Sequence, residues 1–201
     1  ISDRKWETQR KKAMSVVANG YKKMMADEGV FDVQNLEMMN CTDPNCFIDI
    51  HKKYFKIVSS STDGKNLPEE YSVPKEYQIN TNVSRFRWSE GFRTNNSTSV
   101  SNNFYPQISF ITTDGMAYGL YKLDTGGLRY SSAFAVAVDV NAAQKVNTVQ
   151  KDLYLFLVSG NGNVTDLTDQ LIPDKPKECS SYNLSSCTNK YSCLQSGGRW
   201  H

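Results

Sequence analysis

Apolar residues recur at helical spacing from the start of the chain. Met14, Val17, Tyr21 and Met24 follow one another at intervals of three, four and three, and Ala13 and Met25 widen the stripe. Lys11, Ser15, Asn19, Lys22 and Lys23 fall on the other side. The pattern predicts one helix over residues 1–28, about 40 Å long, stopped by Gly29. Gly20 is its weak point, costing about 1 kcal/mol against Ala at an exposed position. Its start has two readings: a cap at Ser2 or Asp3, or a helix that continues upstream of Ile1.

A second helical stretch is expected over residues 31–39. A third begins at Asp43-Pro44, an N-cap followed by Pro at the first helical position. From there Phe47, Ile48, Ile50, Tyr54, Phe55 and Ile57 form an apolar face reaching Val58. Residues 59–66 read as a loop, and residues 67–106 carry little pattern beyond one strand near 85–88. The period then changes to strands over 107–112, 116–123, 133–140 and 153–158. Asp114-Gly115 predicts a two-residue hairpin turn. Asp124-Thr125-Gly126-Gly127 and Gly160-Asn161-Gly162-Asn163 are further turns. Helices first and strands afterwards predict an α+β fold: a long N-terminal helix packed on an antiparallel sheet, in one domain spanning 1–201. Residues 1–28 are the helix, 29–106 a helical and irregular insert, and 107–201 the sheet. Met14, Val17, Tyr21 and Met24 are expected to meet Phe110, Tyr118, Phe134, Tyr154 and Phe156 across the helix–sheet core.

Composition narrows the function classes. A net charge of +2, from 23 basic and 21 acidic side chains, argues against nucleic-acid binding driven by phosphate attraction. No window approaches about 18 consecutive apolar residues, so no membrane span is expected within the chain. Eleven Tyr, nine Phe and three Trp argue against disorder. Cys41 and Cys46 stand together early, and Cys179, Cys187 and Cys193 lie in a late Ser/Asn-rich segment. Their spacing is not that of a zinc site, so disulfides and an oxidising compartment are the preferred reading. Five is odd, which leaves at least one thiol free or paired with another chain.

The inventory for catalysis is thin, and no enzyme is expected. There are two histidines, His51 and His201, and His51 reads as an ordinary surface or boundary residue beside Lys52 and Lys53. No zinc-protease helix motif, nucleophile elbow, phosphate loop or dinucleotide fingerprint occurs. Asp124-Thr125-Gly126 is similar to the aspartic-protease tripeptide, but that chemistry needs a second carboxylate, and no second tripeptide exists. Asp139, Asn141, Asn147 and Asp152 surround one loop and are calcium candidates by their oxygen ligands, although they are equally the usual turn formers. No other cofactor is expected. Arg4, Lys5, Arg10, Lys11, Lys12, Lys22 and Lys23 make the first helix basic, which suits a solvated face or anionic lipid headgroups.

The second half carries Val138-Asp139-Val140-Asn141, Val146-Asn147, Lys151-Asp152-Leu153-Tyr154-Leu155-Phe156 and Gly160-Asn161-Gly162-Asn163-Val164. In these it resembles the type IV pilin-like proteins, or pseudopilins, made with a prepilin leader. Asp114-Gly115-Met116-Ala117-Tyr118-Gly119 and the closing Cys193-Leu194-Gln195-Ser196-Gly197-Gly198-Arg199-Trp200 are also similar to theirs. Ala142, Val146 and Gln150 stand where that family has glycine, proline and glycine. The resemblance implies a soluble head whose helix continues upstream as a hydrophobic half. That half would anchor the chain in the inner membrane before assembly and pack with other pilin-like subunits afterwards. It implies export to the periplasm or cell surface, and a subunit of a pilus-like filament or of a type II secretion pseudopilus. For the cysteines, Cys41–Cys46 and Cys193 with Cys179 or Cys187 are the expected pairs. The alternative is a secreted or cell-surface binding module, lectin-like or adhesive, using the aromatic stretch 85–92 on an extracellular ligand. The sequons at Asn82, Asn95, Asn96, Asn163 and Asn183 would suit it.

Overall fold

The computed structural model describes residues 3–62, 76–78, 85–87, 92–94, 102–123, 132–142, 147–148, 152–168, 171–172, 178–179 and 199–200. Helix α1 runs Asp3–Glu28 as one piece. It ends at Gly29, whose φ of 65° lies in the left-handed region that closes a helix without steric cost to glycine. The buried stripe begins at Ala13 and continues through Val17, Gly20, Tyr21, Met24 and Met25. Met14 is half-buried at the rim of this stripe rather than at its centre.

Two 3-10 turns, Val33–Asn35 and Glu37–Asn40, replace the helix expected over 31–39. Asp32 caps the first by accepting from the Gln34 N–H at 2.9 Å, so an Asp that would sit inside a longer helix instead starts a short one. Helix α2 spans Pro44–His51, capped by Asp43 through the Asn45 N–H as its sequence predicts. It stops at His51, short of the expected Val58. Residues Ile57–Ser61 form strand β1, not a helix end and loop, because they pair antiparallel with the far end of a longer strand.

Further strands are β2 (Glu76–Gln78), β3 (Arg85–Arg87), β4 (Phe92–Thr94), β5 (Asn102–Thr112), β6 (Ala117–Leu123), β7 (Ser132–Asp139) and β8 (Asn147–Thr148). They are followed by β9 (Leu153–Ser159), β10 (Val164–Asp166), β11 (Leu171–Ile172), β12 (Glu178–Cys179) and β13 (Arg199–Trp200). Among the described residues the main sheet has eight strands in the order β10-β9-β7-β6-β5-β4-β11, with β1 also on β5. Every pairing in it is antiparallel. The fold is therefore α+β. β2 pairs with β3 and β8, and β12 with β13, in two small separate sheets.

Two hairpins share one turn design. At the β5–β6 turn the Thr112 N–H donates to Met116 O and the Gly115 N–H to Thr112 O, with Gly115 at φ 79°. At the β9–β10 turn the Ser159 N–H donates to Asn163 O and the Gly162 N–H to Ser159 O, with Gly162 also at φ 79°. These are three-residue loops closed by a left-handed glycine, so the expected two-residue turn at Asp114-Gly115 is longer by one. The Asp124-Thr125-Gly126-Gly127 turn lies outside the described residues.

The helix-facing side of the sheet carries Ile108, Phe110, Tyr118, Leu120, Phe134, Val136, Val138, Tyr154, Phe156 and Val158, all buried in one core with α1 and α2. The opposite side, with Ile111, Ala117, Ala135, Ala137, Leu153 and Leu155, is buried too. Burial on both faces explains why 153–158 reads as an unbroken apolar run rather than an alternating one. Among the described residues no helix is long and apolar enough to cross a membrane.

Candidate functional site

The most built-up feature is the joint where α1, α2 and the sheet meet. Val17, Tyr21 and Met24 are buried there, as are Phe110, Tyr118, Phe134, Tyr154 and Phe156, so the expected helix–sheet core comes together, with Met14 at its edge. Tyr21 packs edge-on against Phe134 at 4.7 Å and tilted against Phe55 at 5.4 Å between ring centroids. Phe110 stacks on Tyr118 at 5.1 Å. Offset and edge-on pairs of this kind add to simple area burial.

His51 sits inside this aromatic group, not on the surface where its lysine neighbours suggest. It is fully buried. Its Nδ1 lies 2.7 Å from the Phe47 carbonyl oxygen, which can only accept, so Nδ1 bears the proton. Nε2, 2.9 Å from the Tyr21 hydroxyl, is then the acceptor and Tyr21 the donor. Burial pushes the imidazole down to about 4, against the opposing pull of the Phe47 carbonyl, and the same burial pushes the Tyr21 hydroxyl well up. The signal was present in the sequence: His51 stands four residues after Phe47, three after Ile48 and four before Phe55, on the apolar face of the same helical stretch.

Gly20 belongs to the joint as well. A Cβ built on it would lie 2.5 Å from the Phe55 ring, so the missing side chain is the notch that receives Phe55. Ion pairs flank the helix. Arg10 reaches Asp166 on β10 at 3.1 Å and Glu7 at 2.7 Å, and Lys12 reaches Asp114 in the β5–β6 turn at 3.2 Å. The hydrogen bond from Arg10 draws the Glu7 carboxyl down to about 2. The Tyr154 hydroxyl donates to the Trp6 carbonyl at 3.3 Å. At the other end Val33 N–H donates to Gly160 O at 2.8 Å. The basic face of α1 is thus partly committed, through Arg10, Lys11 and Lys12, to internal ion pairs.

Of the four calcium candidates, three come together. The Asn141 N–H donates to Asp139 Oδ1 at 3.0 Å and its Nδ2 to Asp152 Oδ1 at 2.6 Å, and Val140 N–H donates to the Asp152 carbonyl. These bonds close the end of β7 onto the start of β9. Asn147 is placed in β8, opposite Tyr77. Among the described residues no group of three or more His, Cys, Asp or Glu is arranged to hold a metal ion.

Cys41 and Cys46 form a disulfide tying the second 3-10 turn to the first turn of α2. Cys179 lies on β12 beside β13, and Cys187 and Cys193 fall outside the described residues, as does any pairing between them. Comparison of the chain with family models, with curated proteins and with solved structures finds no match.

Proposed function

We propose that the chain is the head of a pilin-like subunit, acting by assembly and surface contact rather than by catalysis. The observation that supports this best is architectural: one 26-residue helix laid along an antiparallel sheet, with its buried stripe confined to the part from Ala13 onward. On this reading the helix is a stalk that passes from the head to a hydrophobic segment upstream. That segment anchors the chain in the inner membrane and later bundles with other subunits. The head is exported, consistent with the Cys41–Cys46 disulfide, and its exposed loops meet neighbouring subunits or an extracellular ligand.

The test is the gene upstream of Ile1 together with the fate of its product. A short basic leader, cleaved off ahead of a Phe and some 20 apolar residues that stay with the chain, is the expected result. Cross-linking of the full-length protein in membranes should then yield a ladder of multimers through α1. A removable secretory signal peptide with no apolar stalk would overturn the filament reading. It would favour the alternative of a secreted binding module, for which the exposed Asn163 sequon is the supporting feature.

A further inference from the structure

We infer that the Tyr21–His51 contact is an acid-released latch: protonation of the imidazole undocks the α2 segment, residues 44–56, from α1 while α1 stays on the sheet. This goes beyond the filament reading and does not depend on it.

The geometry leaves the imidazole no room for a second proton. Nδ1–H is already committed to the Phe47 carbonyl, and Nε2 accepts the Tyr21 hydroxyl proton. A proton on Nε2 would face that hydroxyl donor to donor. The hydroxyl would have to become the acceptor and turn its own hydrogen away from His51, in a joint where the rings packed on Tyr21 include Phe55 and Phe134. The new charge would also lie among aromatic rings, with Phe55 stacked at 5.7 Å and Phe110 at 5.9 Å. The ionisable groups that face it are hydroxyls: Tyr21 from α1 and, behind Phe110 and Phe55, Tyr118 from β6. Asp114, the carboxylate nearest Tyr118 in chain, is engaged by Lys12. Among the described residues no carboxylate pairs with the ring. A buried cation without a counter-charge is costly, and moving the segment into water relieves it.

The segment is also built to open alone. α1 holds the sheet through Val17, Met24, the Trp6–Tyr154 hydrogen bond and the Arg10–Asp166 pair, none of which passes through His51. The Cys41–Cys46 disulfide pins the first turn of α2 to the preceding 3-10 turn, and the Thr113 N–H bond to Lys56 O holds the other end of the segment to the β5–β6 turn.

The experiment is amide hydrogen exchange on the intact chain from pH 7 to pH 4, corrected for intrinsic exchange. The reporters are the Lys52 and Phe55 amides, bonded within the segment to Ile48 O and His51 O. The comparison set is the amides of β7 and β9. Linkage to one proton raises the open fraction about tenfold per pH unit between roughly pH 6 and 4.5. The expected result is that slope in the segment, with its amides less protected than those of β7 and β9 at every pH, since the sheet amides open only when the whole domain unfolds. His51→Gln should flatten the slope. Tyr21→Phe should keep it, from a higher baseline. A flat profile in the natural chain overturns the latch, and so does a segment no less protected than β7 and β9, which would mean that it opens only with the whole domain. The wild-type profile alone decides, whether or not either variant folds.

Discussion

At Gly20 the absence of a side chain lets the Phe55 ring lie against the backbone of α1. Ordinarily alanine in a helix is worth about 1 kcal/mol over glycine. Here the added methyl would meet a ring wedged among Tyr21, His51 and Phe110, with its nearest atom 2.5 Å away. Overpacking outweighs propensity, and Gly20→Ala should lower stability by about 1–2 kcal/mol in urea unfolding. A rise in midpoint would mean that the ring moves freely. The two turn glycines separate two effects in the same way. Gly115 and Gly162 have the same φ of 79°, but a Cβ at Gly115 meets nothing within 4 Å, whereas one at Gly162 lies 2.8 Å from Met25 Sδ. Gly115→Ala should cost the backbone term alone, about 1 kcal/mol, and Gly162→Ala more. Equal losses would show that Met25 yields without penalty.

His51 adds a pH dependence whose sign follows from its burial. Its folded value of about 4 lies below the ordinary 6.5, so the unfolded chain binds more protons between those values. Its contribution to stability is complete above about pH 6.5 and falls as the pH drops toward 4, by roughly 3 kcal/mol in all. Urea unfolding at pH 7, 5.5 and 4.5 should show this decline, and replacing His51 by Phe should remove it. A profile unchanged by the substitution would assign the decline to the carboxylates.

At the scale of elements, α1 shows which contacts matter along its length. Val17 is fully buried and Met14 half-buried, so Val17→Asp should unfold the domain or cost well over 3 kcal/mol, while Met14→Asp can turn its carboxylate toward water and cost much less. Similar losses at both positions would mean the helix is rotated from the register described. Asp166 and Asp114 hold opposite flanks of the helix through Arg10 and Lys12, but these pairs are partly exposed, and each should contribute under about 1 kcal/mol in a double-mutant cycle.

The helix stripe, the Asp43 cap and the four main strands were legible because each rests on local periodicity or on one turn of backbone. What escaped depends on distant partners. β1 became a strand because Ser60 and Ser61 found Phe110 and Ser109 across the chain, and a serine run carries no strand signal of its own. His51 is hard to place from sequence because Lys52 and Lys53 beside it mark a solvated stretch, while its spacing from Phe47 and Phe55 marks a buried face. The polar loop at Asp139, Asn141 and Asp152 was legible as a cluster, while its internal hydrogen bonds required the β7–β9 pairing.

For the molecule as a whole, the sheet is buried on both faces among the described residues, and the face away from α1 uses small side chains such as Ala117, Ala135 and Ala137. The Cys41–Cys46 disulfide closes a short loop, so removing both cysteines should cost only about 2 kcal/mol by loop entropy, without loss of fold. A complete loss of structure would mean that the bridge sets the position of α2. The long helix also has a mechanical consequence. α1 follows β9 from Tyr154, which holds Trp6, to the turn at Gly162, whose open Cβ position faces Met25, so its attachments are spread along the direction of the strands. A pull applied to the helix from its first residue loads them side by side rather than one after another. The domain resists traction in shear, and tension on α1 would have to break many weak contacts at once before the sheet let go.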